Sequence, residues 1–425
     1  METKQYSQYK ESGIDIVGKI PEIWKLTRLK YLCRVKTGNK DTVNRNPEGK
    51  YPFYVRSPNI ERIDTYTFDG IAVLMAGDGV GAGKVFHYVK GKFDYHQRVY
   101  NFHNFKRITP KYFYYYISSK FSEEIEKGSA KSTVDSVRLP MLENFLITIP
   151  STNEQEQIAN YLDNKTSKID QLIIKNKKLI DLLEEKRTSL INQVVTKGLN
   201  PNVKMKDSGI EWIGEIPVHW KIYKLKHVID EFISGGTPPD NDLFWSNENS
   251  GIPWVSIGDM NNKPIENTKK KITELGLHEK SLKILKKGTL LYSIFASLGK
   301  VSILNIDATT NQAILGLIHN LKVNKIYLKY YLIFIEDKLT LFSNSNTQNN
   351  LNTTLVKNMP ITLPSKEEQK QIADYLDKET SKIDKTIEKI EKEIELLKEY
   401  KKSLIYHVVT GKIDVRGESY EKNKH

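Results

Sequence analysis

The sequence is poor in the residue types that most chemistry needs. It holds a single cysteine, Cys33. A disulfide framework and a thiolate metal site are therefore excluded, which fits a reducing compartment and predicts a cytoplasmic protein. The nine histidines are scattered, with no H-E-x-x-H and no paired ligands. The longest apolar stretch, near Tyr330 to Ile335, is far too short to span a bilayer. Met1-Glu2-Thr3-Lys4 has no apolar run behind it, so no signal peptide is expected. There is no nucleophile-elbow serine and no stretch of the N-P-P-Y type that a base-modifying methyltransferase carries. The nearest text, Thr237-Pro238-Pro239-Asp240, lacks both the asparagine and the aromatic ring. The glycines at 77, 79, 81 and 83, with Lys84, invite a phosphate-loop reading but fail its spacing. Asp78 stands where the first glycine belongs, and Val85 follows the lysine where serine or threonine is needed. Gly77-x-Gly79-x-x-Ala82 is a loose dinucleotide match, and the second half of the chain keeps only Gly299-Lys300-Val301 at the equivalent place. A turn between strands explains both copies better. Taken together, these absences argue for binding and scaffolding, with no catalytic residue, metal or cofactor on this chain.

What the sequence does have is positive charge and a repeat. Across 425 residues, 65 Lys+Arg stand against 52 Asp+Glu, a formal net charge of +13. Nucleic acid is the leading partner for such a balance, and a lysine-rich solvated surface is the alternative. "SGIDIVGKIPEIWK" from Ser12 returns as "SGIEWIGEIPVHWK" from Ser208. "STNEQEQIANYLDNKTSKID" from Ser151 returns as "SKEEQKQIADYLDKETSKID" from Ser365, and "SLINQVVT" from Ser189 returns as "SLIYHVVT" from Ser403. The chain reads as globule, helix, globule, helix. The boundaries fall at residues 1–150, 151–200, 201–364 and 365–425.

Both long helices open on a capping box, Ser151 with Glu154 and Ser365 with Glu368. Heptads then run from Thr166 through Ile169, Ile173, Asn176, Ile180, Leu183, Arg187 and Leu190 to Val194. The second copy runs from Thr380 through Ile383, Ile387, Ile390, Ile394, Leu397, Lys401 and Leu404 to Val408. Such a pattern predicts two helices pairing as an antiparallel coiled coil, with the globules at opposite ends. Asn176 faces this seam where its counterpart is Ile390; it either fixes register or lies at a frayed edge. The globules are of the α/β (α+β) class. Strand-like runs at residues 51–60 and 71–88 correspond to 251–260 and 288–304. An aromatic-rich helix follows in each, from Thr109-Pro110 and from near Asn324. The tyrosines at 112, 114, 115 and 116 fit helix-face packing better than base stacking.

The paired "SGI…IG-IP—W" openings, the "EQ—IA-YLD—T-KID" helix starts and the "SLI—VVT" helix ends resemble the specificity subunit of type I restriction-modification systems. "GGTP" (Gly235 to Pro238), "IPWVSIGDM" and "TTNQA" (Thr309 to Ala313) add to the likeness in the second globule. The first globule departs from it, with Thr37-Gly38-Asn39-Lys40 for Ser234-Gly235-Gly236-Thr237, "YHQRVY" (Tyr95 to Tyr100) near where the second has "TTNQA", and Ile16 for Trp212. The resemblance implies two target recognition domains, each reading one half of a bipartite asymmetric DNA site. It implies that the coiled coil sets the spacer and docks two modification subunits, which methylate adenine with S-adenosylmethionine. Two restriction subunits, using ATP and Mg, would join for translocation and cleavage. Pseudo-twofold repetition suits two copies of one enzyme subunit.

Polar and basic residues in loops are the candidate readers of base edges and phosphates. In the first globule these are Lys40, Arg56, Ser57, Asn59, Lys84, Gln97, Arg98 and Lys131; in the second, Thr237, Ser256, Asp259, Lys300, Asn311, Gln312, Gln348 and Asn349. Each has a turn-forming or capping alternative, strongest for Asp259 and Asn311. A competing reading makes the chain a coiled-coil adaptor whose globules bind protein.

Overall fold

The structure, a computed structural model, describes residues 4–15, 17–128, 136–246, 251–261, 263–339 and 351–417. The chain forms two compact units. Residues 1–177 and 391–425 make the first, and residues 178–390 the second.

The first unit opens with β1 (Tyr9–Glu11) and β2 (Lys19–Pro21), an antiparallel pair. The repeated opening motif builds the link between them. Ser12 Oγ accepts from the Ile14 N–H at 3.0 Å, and the Ser12 N–H donates to the Gly18 carbonyl at 3.0 Å. There follow β3 (Lys25–Arg28), β4 (Arg34–Thr37), β5 (Tyr51–Tyr54), β6 (Ile60–Ile63), β7 (Phe68–Ala76), β8 (Phe86–Tyr95) and β9 (Val99–His103). The last six form one sheet in the order β4-β9-β7-β8-β5-β6. All its pairs are antiparallel except β5 with β8, where Tyr54 lies opposite Tyr95. β7 is covered on both faces, which is why it reads as an unbroken apolar run rather than an alternating one. Val73 and Met75 enter one core, while Ala72 and Leu74 enter another with Phe93 and Tyr95.

Helix α1 (Pro110–Gly128) lies on the first of these faces, burying Tyr112, Tyr115 and Tyr116. These tyrosines are packing residues. A short α2 (Leu139–Asn144) leads to β10 (Leu146–Ile149), which pairs with β3. Then comes α3 (Thr152–Lys197).

The second unit repeats the plan with β11 (Met205–Asp207), β12 (Glu215–Pro217), β13 (Lys221–Lys224) and β14 (Ile229–Ser234). It continues through β15 (Trp245–Ser246), β16 (Ile252–Val255), β17 (Lys270–Ile272), α4 (Glu274–Glu279), β18 (Leu290–Ser293), β19 (Val301–Ile303), β20 (Thr309–Thr310) and β21 (Ile314–His319). It closes with α5 (Lys325–Glu336), α6 (Thr353–Asn358), β22 (Pro360–Leu363) and α7 (Lys366–Val409). Here the strands divide into two sheets, β14-β21-β18-β19 and β15-β17-β16-β20. The parallel pair recurs, with Val255 of β16 opposite Thr310 of β20.

Each unit joins one globule to the start of its own helix and the end of the other. In the first, Tyr112 OH donates to the Thr148 carbonyl at 2.9 Å, and Thr148 Oγ1 donates to the Val409 carbonyl at 3.2 Å. In the second, Tyr327 OH donates to the Thr362 carbonyl at 2.9 Å, and Thr362 Oγ1 donates to the Val195 carbonyl at 3.0 Å. A buried threonine thus satisfies a helix C-terminal carbonyl that has no partner within its own helix. The helices run antiparallel within each unit. Lys401 Nζ sits 2.7 Å from Asp170 in the first, and Arg187 sits 3.0 Å from Asp384 in the second. Along the seam Ile169, Val194, Ile383, Ile390, Ile394, Leu404 and Val408 are buried. Ile173, Ile180, Leu183, Leu190, Ile387 and Leu397 are half-buried.

The repeated "EQ" has a structural reason. Gln155 accepts from the Thr109 N–H at 2.7 Å and donates to the Arg107 and Pro150 carbonyls, both at 3.0 Å. Gln369 makes the matching bonds to Asn324, Lys322 and Pro364. One arm of each expected capping box forms: the Ser151 and Ser365 hydroxyls accept from the N–H three residues on, at 3.3 and 3.2 Å. The return arm does not. Glu154 instead accepts from Tyr6 OH at 2.7 Å and Trp24 Nε1 at 3.1 Å, while Glu368 faces His219 Nε2 at 3.0 Å. A carboxylate beside a buried indole N–H has a donor more deeply shielded from water than the frayed backbone at a helix start.

Candidate nucleic-acid interface

The two parallel strand pairs bring matched loops together in each unit. In the first, the backbone around Gly38 runs against the Tyr95 and His96 carbonyls so closely that any Cβ would collide with them. Gly235 meets the Thr310 and Asn311 carbonyls in the same way. Glycine is required at both places by this close approach. The residues just beyond, Lys40 and Thr237, are thereby set beside Gln97 and Gln312. The Gln97 N–H donates to the Lys40 carbonyl at 2.8 Å, and Thr237 Oγ1 donates to Gln312 Oε1.

Around this edge of the first unit the candidate readers gather on two aspartates. Gln97 Nε2 donates to Asp41 Oδ2 at 2.6 Å. Asp41 also caps a short 3-10 turn at Thr42–Asn44. The hydrogen bonds from Thr42 hold its carboxyl below the usual carboxylate range, and it stays charged. Arg56 Nη1 lies 3.1 Å and Arg98 Nε 3.5 Å from the two oxygens of Asp78. Both guanidiniums are solvent-exposed. Exposed pairs of this kind contribute little net stability, so either arginine can exchange a carboxylate for a phosphate or a base edge. Ser57 Oγ donates to the Asn59 carbonyl at 3.3 Å on the next turn. Lys84 is exposed at the start of β8's approach. His96, buried beneath this edge, is pushed down in pKa by burial and accepts the Arg98 N–H at its Nδ1, 3.0 Å away.

The second unit's edge is built differently. Ser256 donates from N and Oγ to Asp259 Oδ2 at 2.9 and 2.7 Å, and Asn311 Oδ1 accepts from the Ala313 N–H at 3.1 Å. Asp259 and Asn311 thus act as turn formers. Trp254 Nε1 donates to the Gly236 carbonyl at 2.9 Å, tying the two glycines to β16. Gln312 and Thr237 are exposed. Lys300 is turned to α5, where its Nζ lies 2.7 Å from Glu336. Lys131, Gln348, Asn349 and Ile16 lie outside the described residues.

A search for basic and amide readers passes over Asp41 and Asp78, which organise the first edge. Their signal in the sequence is position: each follows or sits within a glycine-bounded turn after a strand. Cys33 is buried and its thiol is pushed up to about 12 by burial, which suits packing rather than nucleophilic chemistry. Among the described residues no group of His, Cys, Asp and Glu is placed to hold a metal ion, and no helix is long and apolar enough to cross a membrane.

Comparison with known proteins bears on the family of the chain. Residues 21–184 and 217–396 match the family model described as the type I restriction modification DNA specificity domain. The chain is 28% identical over 421 residues to the type I restriction enzyme MjaVIII specificity subunit of Methanocaldococcus jannaschii, covering 94% of this chain and 95% of that one. It is 27% identical over 174 residues to the EcoDI specificity subunit of Escherichia coli, covering 41% and 38%. Among solved structures, a chain from a study of complex assembly and conformational transition in the type I R-M system matches with a TM-score of 0.70. That match has 18% identity and covers 92% of this chain and 98% of that one. The HsdS subunit from Thermoanaerobacter tengcongensis matches with a TM-score of 0.52 and 17% identity over 95% and 100%. With two copies of the domain spanning most of its length, the chain belongs to the type I restriction-modification DNA specificity family, whose members recognise DNA and do not themselves catalyse.

Proposed function

We propose that each unit reads one half of a bipartite, asymmetric double-stranded DNA target through the loop edge beside its parallel strand pair. One observation carries the reading. The same close-packed glycine holds both edges, yet the side chains displayed on them are unlike: Lys40, Arg56, Gln97 and Arg98 on one, Thr237, Ser256 and Gln312 on the other. A frame shared by both units, with different readers on it, suits two different half-sites. Positive charge supplies the sequence-independent attraction, and side chains on the loops supply the discrimination.

The helices serve as spacer and dock. Leu172, Ile174, Leu179 and Leu182 of α3 and Leu396 and Tyr400 of α7 are exposed off the seam, which is unusual for helices otherwise covered in charge. In this proposal two modification subunits, carrying S-adenosylmethionine, and two ATP- and Mg-dependent restriction subunits assemble on them in the cytoplasm. The test is methylation-site sequencing of a strain carrying the complete system. The proposal expects one asymmetric bipartite adenine motif that disappears when this chain is deleted. A motif that persists without the chain, or no motif at all, overturns it.

A further inference from the structure

Between β7 and β8 the chain makes a turn whose glycines are fixed in place. Gly79 and Gly83 have φ of +69° and +64°, and a Cβ on Gly81 would strike the Arg56 carbonyl. Backbone bonds hold the turn, among them Ala82 N–H to Gly79 O (2.9 Å), Gly83 N–H to Ala76 O (2.9 Å), Lys84 N–H to Gly81 O (3.0 Å), Val85 N–H to Gly81 O (3.1 Å) and Val137 N–H to Gly77 O (2.7 Å). At its tip stands Val80, which is 100% exposed. Its neighbours are both glycines, so no adjacent side chain covers it.

A lone exposed valine is ordinary on a protein surface. This one is set apart by its place. It stands two residues from Asp78, the carboxylate on which Arg56 and Arg98 converge. Its backbone is therefore held in place, at little further ordering cost, next to the groups proposed above to meet phosphates and base edges. Valine offers no hydrogen bond and no charge. The apolar feature that an unmodified base pair displays in the major groove is the C5-methyl group of thymine.

We propose that Val80 packs against the C5-methyl of a thymine in the half-site read by the first unit. This rests on the DNA-reading function proposed above and names one of its specificity contacts. Burying a methyl group between the two is worth a factor of about four to ten in the rate or affinity for the correct base.

The experiment uses the complete modification complex and duplexes carrying its own target, with each thymine of the first half-site replaced in turn by deoxyuridine, which lacks only the methyl. With the wild-type chain, methylation should slow about four- to tenfold at one position. Val80→Ala should slow methylation of the all-thymine duplex by a similar factor and respond no further to deoxyuridine there. Because Val80 is fully exposed, its replacement should leave the thermal unfolding curve unchanged. A half-site without thymine, no deoxyuridine-sensitive position, or a Val80→Ala variant that remains as sensitive as wild type would each overturn the contact. So would a loss in Val80→Ala that is the same on every duplex, the mark of a wedge between base steps. Sequence-confined methylation by the wild-type complex with any of these results removes the valine contact alone. Absence of sequence-confined methylation removes the DNA-reading proposal and the contact together.

Discussion

Asn176 offers a prediction about the helix seam that can be worked from the structure. It occupies a d position among Ile169, Ile173 and Ile180 and is half-buried. Its side-chain nitrogen Nδ2 is shielded from water and has no hydrogen-bond acceptor. At a frayed edge water would satisfy the amide. A buried donor left without a partner costs about 1–3 kcal/mol. Its counterpart in the repeat, Ile390, is buried at the same heptad position, so isoleucine fits this kind of site. Asn176→Ile removes the orphan donor and adds apolar burial worth about 1 kcal/mol at half exposure. The net stabilisation should be about 2–4 kcal/mol. For a unit of roughly 200 residues, each kcal/mol moves Tm by about 2–4 °C, so the transition of the first unit should rise by about 4–16 °C. Differential scanning calorimetry of the full chain, wild type against Asn176→Ile, is the assay. An unchanged or lowered transition would refute the reasoning, and would mean that the amide finds a partner in solution.

Three further outcomes are expected. Arg56→Ala should weaken specific DNA binding by about 1–3 kcal/mol and relax one base position, whereas Lys40→Ala should weaken binding to all sequences and lower the salt slope by about one; fluorescence titrations across a salt series separate the two. His87, His96 and His103 all lie in the first unit with pKa values lowered from the ordinary 6.5 by burial. In the fold they bind fewer protons than in the unfolded chain, so the stability they confer is present above about pH 6.5 and is lost as pH falls below it, through their folded-state values. Urea unfolding of the full chain at pH 7.5 and 5.5 should show the first unit's midpoint dropping. Inserting one heptad in each helix lengthens it by about 10 Å and should widen the unread spacer by about three base pairs with both half-sites unchanged. A methylated motif with an unaltered spacer would show that the helices do not set it.

The paired helices were legible because a 3.5-residue repeat is local and survives without knowledge of the fold. Even the charged seam residues fit it: Arg187 and Lys401 each answer an aspartate across the pair. The repeated motifs were legible as repeats but not as contacts. Nothing in the text says that Glu154 leaves its capping box for Trp24, or that Thr148 and Thr362 close the helix ends, because those partners are distant in sequence. Sheet order was not legible either, since the six-stranded arrangement of one unit and the two four-stranded sheets of the other depend on non-local pairing. At the candidate interface, loop position pointed to Arg56, Gln97 and Arg98. It could not foresee that Lys300, the match of Lys84 in the repeat, meets a glutamate 36 residues on. Asp41 and Asp78 were missed because a search for partners of a polyanion looks past acids, although acids are what hold the arginines and the glutamine in place.

The most direct test of the central claim, that two structurally similar units read two different half-sites independently, is an exchange. Residues 20–150 are replaced by the corresponding domain of another member of the family, and the methylated motif of the complete system is sequenced. The account predicts that one half-site changes to that of the donor while the other half-site is retained base for base. A motif altered in both halves, or in neither, would contradict it.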